Sequence, residues 1–213
     1  MTDVTEVEIP GEVPAVDAGP RQLLSRTERR ASILDAAASA FARTGFAATS
    51  MEDVATAAGV TRLIVYRHFP SKEDLYRAVL TQVATRLGEE FSRFLSLPDG
   101  ARHGFASRSI LTVAREHPDG YRLLMVHAAR EPQFAELGAE YHQAGFELAR
   151  SFVRPILSDP TMVEWAARSI VEYLNNGVLE WLEVGEPSRD EEFIEMATAG
   201  LLALYTSWAG PDR

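Results

Sequence analysis

An all-α fold is predicted for these 213 residues, and three observations predict it. Apolar residues recur at helical spacing from Thr27 to Trp208. Glycine and proline fall chiefly between those runs, and no stretch alternates apolar with polar residues as a half-buried strand would. With 46% of residues hydrophobic, the chain can bury a sizeable core. The pattern divides into an acidic tail at residues 1–25, a small three-helix unit at 26–72 and a larger helical body at 73–213.

The tail holds Pro10, Gly11, Pro14, Gly19 and Pro20 among acids and small residues, shows no periodicity, and is expected to be disordered. A helix follows over Thr27–Arg43, with Ile33, Leu34, Ala37, Ala38 and Phe41 as its buried stripe and Gly45 as its end. Thr49 and Ser50 then open a short helix over Met51–Ala58, with Asp53 placed to complete a capping box. Gly59 permits a turn at positive φ. Thr61 caps a second short helix that runs to His68, before Pro70 stops it. Helix, tight glycine turn and helix, with Arg62, Arg67 and His68 left outside, form the pattern of a helix-turn-helix.

From Ser71, capped by way of Asp74, a long helix runs to Leu95 and joins this unit to the body. Helices over Ala101–Glu116, Asp119–Arg130 and Gln133–Leu157 follow, the last bent or ended by Pro155. Two final helices cover Thr161–Val184 and Asp190–Trp208. Their stripes are Ile170, Leu174, Val178, Trp181 and Leu182 on one, and Ile194, Ala197, Leu201, Leu204 and Trp208 on the other. Together these exceed what one small body can bury, so they are assigned to a homodimer interface built as a four-helix bundle.

Composition excludes several chemistries. There is no cysteine, hence no disulfide, cysteine-based zinc site or thiol reaction. None of the five histidines has a glutamate three residues before it, and no His-Glu-x-x-His, phosphate loop or Gly-x-Ser-x-Gly elbow occurs. No catalytic residue, metal ligand or cofactor is therefore assigned, and no enzyme is expected. No run of 18 apolar residues exists and the N-terminus lacks a signal-peptide core, so a soluble cytoplasmic protein without a membrane partner is expected. Net charge is −4 over residues 1–25, +2 over 26–77 and −8 over 78–213, against −10 for the chain. The only net-basic segment is the helix-turn-helix, which would turn that end toward phosphate.

Ala58-Gly59-Val60-Thr61, Val65-Tyr66-Arg67-His68-Phe69 and Pro70-Ser71-Lys72-Glu73-Asp74-Leu75 together resemble the DNA-binding signature of the TetR family of bacterial transcriptional regulators. Phe41 to Phe46 matches the end of that family's preceding helix, and the likeness is strong over residues 27–80. It implies a double-stranded DNA operator, with phosphate contacts from Thr49, Tyr66, His68 and Lys72. Residues at the start of a recognition helix face base edges, which places Thr61, Arg62 and Leu63 there, with Arg62 suited to guanine. Arg67 reaches a base or a phosphate. Leu63 and Ile64 depart from the family's small or hydroxylated residues; they either touch thymine methyls or pack inward.

The resemblance also implies a small-molecule effector pocket in the body. Candidate walls are Phe91, Phe94, Tyr121 and Met125, then Phe134, Tyr141, Phe146 and Trp165, with His127, His142 and Asn175 as polar groups. The function this predicts is a homodimeric repressor that binds a palindromic operator and is released by an effector of unknown identity. The alternative is a small-molecule-binding helical dimer whose degenerate DNA reader acts through a protein partner.

Overall fold

The computed structural model describes residues 25–98 and 104–210, so the acidic tail up to Leu24, and His103, lie outside the described residues. Among those described, the chain is helical without a strand. In order come α1 (Arg26–Ala48), α2 (Met51–Ala57), α3 (Arg62–His68), α4 (Lys72–Ser96), α5 (Phe105–Glu116), α6 (Pro118–Arg122), α7 (Ala135–Val153), α8 (Pro160–Val184) and α9 (Asp190–Ala209).

Ser25, counted with the tail above, is the N-cap of α1: its Oγ accepts from Glu28 N and the Glu28 carboxylate accepts from Ser25 N. The helix breaks at Gly45, where φ is 82° and ψ 160°, a conformation open essentially only to glycine. Leu75, Tyr76, Val79, Leu80, Val83 and Leu87 make one buried side of α4. Against it pack α1 at one end and α5 at the other, so one core runs unbroken from Ile33 to Ile194. The boundary after Lys72 thus falls at the first residue of α4, with no gap in the core. A smaller cluster around Val153, Val163 and Ala166 joins α7 to α8.

The helix expected over Asp119–Arg130 is not one helix. After α6 the backbone passes through a π turn, Leu123–His127, and a 3-10 turn, Ala128–Arg130. The widened turn lets the consecutive Leu123 and Leu124 both reach the core, which a regular α-helix would hinder. Pro155 ends the following helix, as its missing N–H requires. α9 is tied to α5 by Arg108–Glu191 and by Arg115–Asp190 at 2.8 Å.

Candidate nucleic-acid interface and ligand cavity

Local hydrogen bonds set the helix-turn-helix. Asp53 N donates to Ser50 Oγ at 3.1 Å and Ser50 N donates to Asp53 Oδ2 at 2.8 Å, closing the capping box of α2. At its other end Val60 N donates to Ala55 O at 3.0 Å and Gly59 N to Thr56 O at 3.2 Å, with Gly59 at φ 64°. That is a Schellman closure, and its left-handed position favours a residue without Cβ. The turn fixes how α3 leaves. Val65 is fully buried and Ile64 packs against the same core.

Arg62, Leu63, Tyr66 and Arg67 consequently face out, as two neighbouring rows four residues apart. Arg62 Nη2 donates to Tyr66 Oη at 3.3 Å and its guanidinium lies 5.3 Å from the Tyr66 ring centre, so the two present as one unit. Leu63 is 61% exposed, so Leu63 and Ile64 each take one of the two orientations considered for them. Thr61 adopts the N-cap backbone, but its exposed side chain makes no capping bond. His68 is half-buried. Burial first, and then Arg26, Arg29 and Arg30, hold its pKa below the usual histidine value, so the imidazole is neutral at neutral pH.

Two residues assigned to phosphate have other partners within the fold. Thr49 is 2% exposed, and its Oγ1 lies 2.7 Å from both Gly45 O and Thr44 Oγ1. It braces the break in α1 and presents no hydroxyl to phosphate. Lys72, the only lysine of the chain, directs its ammonium to Phe46 O at 2.9 Å, Thr49 O at 3.0 Å and Ala47 O at 3.2 Å. Those carbonyls stand at the end of α1, where no helical N–H follows to take them. The ammonium also lies 4.5 Å from the Phe46 ring centre. All its protons are engaged. Lys72→Met is therefore expected to lower stability by about 2 kcal/mol and to leave the salt dependence of DNA binding unchanged. Thermal melts and a salt titration check this; a slope shallower by about one unit at unchanged stability would return Lys72 to the phosphate.

In the body, α4, α5, α7 and α8 enclose a cavity of about 80 Å³. Of the predicted walls, Phe91, Phe94, Tyr141 and Asn175 line it; Phe105, Ser109 and Phe152 line it as well and were missed. The other predicted walls lie elsewhere. Tyr121 is fully buried behind Asn175 and donates to its Oδ1 at 3.3 Å. Met125 and His127 belong to the π turn. Phe134 packs on Tyr76 at 4.5 Å and on Phe46 at 5.2 Å between ring centres, joining body to reader. His142 stacks on Phe146 along α7, with Arg168 of α8 over the Phe146 ring. Trp165 is 51% exposed and packs on Trp208.

The stripes of α8 and α9 also divide. Leu174, Val178, Ile194 and Ala197 are buried within the protomer, and Ile170 lines the cavity. Trp181 stacks on Phe193, and its Nε1 donates to Asp190 Oδ1 at 2.7 Å. None of these six is a free face. Leu201, Leu204 and Trp208 are half-exposed, and the outer faces carry Met162, Trp165, Tyr173, Met196 and Leu202. Among the described residues no helix is long and apolar enough to cross a membrane, and no cluster of three or more histidines and carboxylates suits a metal.

A family model for bacterial regulatory proteins of the tetR family matches residues 33–79. The HTH-type transcriptional activator FasR of Mycolicibacterium smegmatis is 33% identical over 115 residues, 53% of this chain and 52% of that protein. An uncharacterized HTH-type transcriptional regulator of Mycobacterium tuberculosis is 31% identical over 169 residues, 78% of this chain and 80% of the relative. The solved structure of AibR in complex with isovaleryl coenzyme A and operator DNA shares the fold, with a TM-score of 0.63 and 18% identity, over 82% of this chain and 98% of that one.

Proposed function

This chain belongs to the TetR family of bacterial transcriptional regulators, and on that premise we propose that it is a homodimeric repressor that binds a palindromic operator and releases it when an effector enters the body. The observation that carries the DNA-binding half is the outward row of Arg62, Leu63, Tyr66 and Arg67 on the only net-basic segment of the chain. Arg62 reads guanine, Leu63 touches a thymine methyl, and Tyr66 and Arg67 meet the backbone. Two such readers on one rigid body would seat in successive major grooves about 34–36 Å apart.

The lever is α4. Its C-terminal half contributes Phe91 and Phe94 to the cavity, while Leu75 and Tyr76 at its start sit in the core of the reader. An effector that spreads the cavity walls tilts α4 and changes the spacing of the two readers. It must bind the DNA-incompetent state more tightly, by the factor through which it lowers DNA affinity. The AibR complex, which holds both an acyl-coenzyme A and operator DNA, supports an effector site on this fold. The relative named as an activator supports a second reading, in which the same binding event recruits transcription.

The test is footprinting on DNA flanking the encoding locus, with a protected palindrome as the expected result. On that site Arg62→Ala should narrow the gap between operator and random DNA by about 1–3 kcal/mol per half-site. Unchanged discrimination would move base reading to Arg67. Absence of any protected site would favour action through a protein partner.

A further inference from the structure

We propose that the ligand of the body cavity is an uncharged, largely hydrocarbon molecule carrying an oxygen that accepts a hydrogen bond from Asn175 Nδ2. The proposal rests on the reading of this cavity as the effector site and narrows what enters it. Among the described residues no lining side chain is charged, and most are hydrocarbon: Phe91, Phe94, Phe105, Ile110, Phe152 and Leu174 among them. A carboxylate, phosphate or ammonium inside would meet no counter-charge from these residues.

Asn175 is one of three side chains in that wall with a polar atom, with Ser109 and Tyr141. It is 4% exposed, on the inward face of α8 beside Leu174 and Val178. Burial pushes the Tyr121 hydroxyl well above its ordinary pKa, so it keeps its single proton and donates it to Asn175 Oδ1 at 3.3 Å. That bond orients the amide, and Nδ2 finds no acceptor among the described residues. An amide donor left in such a place costs stability unless something accepts from it. The remaining polar groups of the wall do not fill that role. Ser109 Oγ donates to Glu90 Oε2 at 3.3 Å, and Glu90 is held by Arg86 at 2.6 Å and Arg93 at 3.0 Å. Glu90 is thus already paired and unavailable to a cationic ligand. Tyr141, whose burial keeps it protonated, adds no charge. A donor set in hydrocarbon without a cation matches a ketone, ester, thioester or alcohol oxygen and rejects a free acid.

The full chain, labelled with ¹⁵N-asparagine, is titrated with 2-hexanone, hexanoate and hexylammonium while the Asn175 side-chain amide is followed by NMR. That signal is identified by its loss in Asn175→Leu. The expected result is that 2-hexanone shifts it and binds at least about tenfold more tightly than either ion, and that Asn175→Leu weakens 2-hexanone about threefold to tenfold. Equal or tighter binding of hexanoate or hexylammonium in the cavity overturns the proposal, as does failure of all three to perturb Asn175. The comparison of the three probes needs no substitution at Asn175. Asn176, the only other asparagine of the chain, is exposed, and Asn176→Gln leaves the Asn175 signal alone. The comparison therefore stands even if Asn175→Leu does not fold. A gel shift with operator DNA separates the two ideas. If 2-hexanone binds at Asn175 without changing operator affinity, the effector role fails and the ligand class stands. If hexanoate releases DNA from the cavity, the reverse holds.

Discussion

The double variant Met196→Glu/Leu202→Glu is expected to sediment as a folded monomer and to bind the operator about 10³-fold more weakly or worse. Both side chains are largely exposed on α9, at 68% and 55%, beside the small residues Ala199 and Ala203, which are also exposed and would let a symmetry mate approach closely. In a two-fold bundle each carboxylate would be driven into an apolar seam twice, once from each subunit. A single recognition helix would then fall back toward non-specific affinity, which is typically 10³–10⁷ weaker than specific binding. Leu201 is a poorer probe because it packs against the protomer's own core, so a charge there confuses dissociation with unfolding. Sedimentation, circular dichroism and a gel shift read the outcome together. A double variant that remains a dimer at micromolar concentration would move the interface to another face.

Phe134→Ala is expected to cost about 3–5 kcal/mol of stability, which for a chain of this size is a fall of roughly 10 °C in Tm. As a cavity wall, Phe134 would instead have altered ligand affinity at little cost to the fold. The ring is 1% exposed and is gripped by Phe46 of α1 and Tyr76 of α4, with the Arg77 guanidinium 5.5 Å from its centre. Removing it opens a void where the body meets the reader. Melting followed by calorimetry checks the stability; an unchanged Tm with a changed ligand affinity would restore the wall assignment.

Sequence reasoning reaches the reader and stops short of both those sites. The reader was legible because its determinants are local: a capping box within four residues, a glycine at the one left-handed position, and a proline just past the last turn. The partners of Thr49 and Lys72 were not foreseen because they are set by tertiary structure. Nothing in the sequence near Lys72 says that the broken end of α1 will bring three carbonyls to it. The aromatic residues of the body show the same limit. Helical spacing tells which side of α7 or α8 is apolar, but not whether that side meets the cavity, as Tyr141 does, or a neighbouring arginine, as Phe146 does. Asn175 lines the cavity while His127 and His142, expected with it as polar groups, do not, and no local signal separates the three. The π turn left no such signal.

The seat of Lys72 has a practical consequence. Since no other lysine exists in the chain, an amine-selective acylating reagent has one side-chain target. That amine is engaged by three carbonyls for as long as α1, α4 and the start of α2 stay assembled. Each opening of the reader releases it and allows a single covalent mark. Timed acylation read by mass spectrometry would therefore count reader openings directly, as hydrogen exchange counts the release of an amide, and would do so at one known atom.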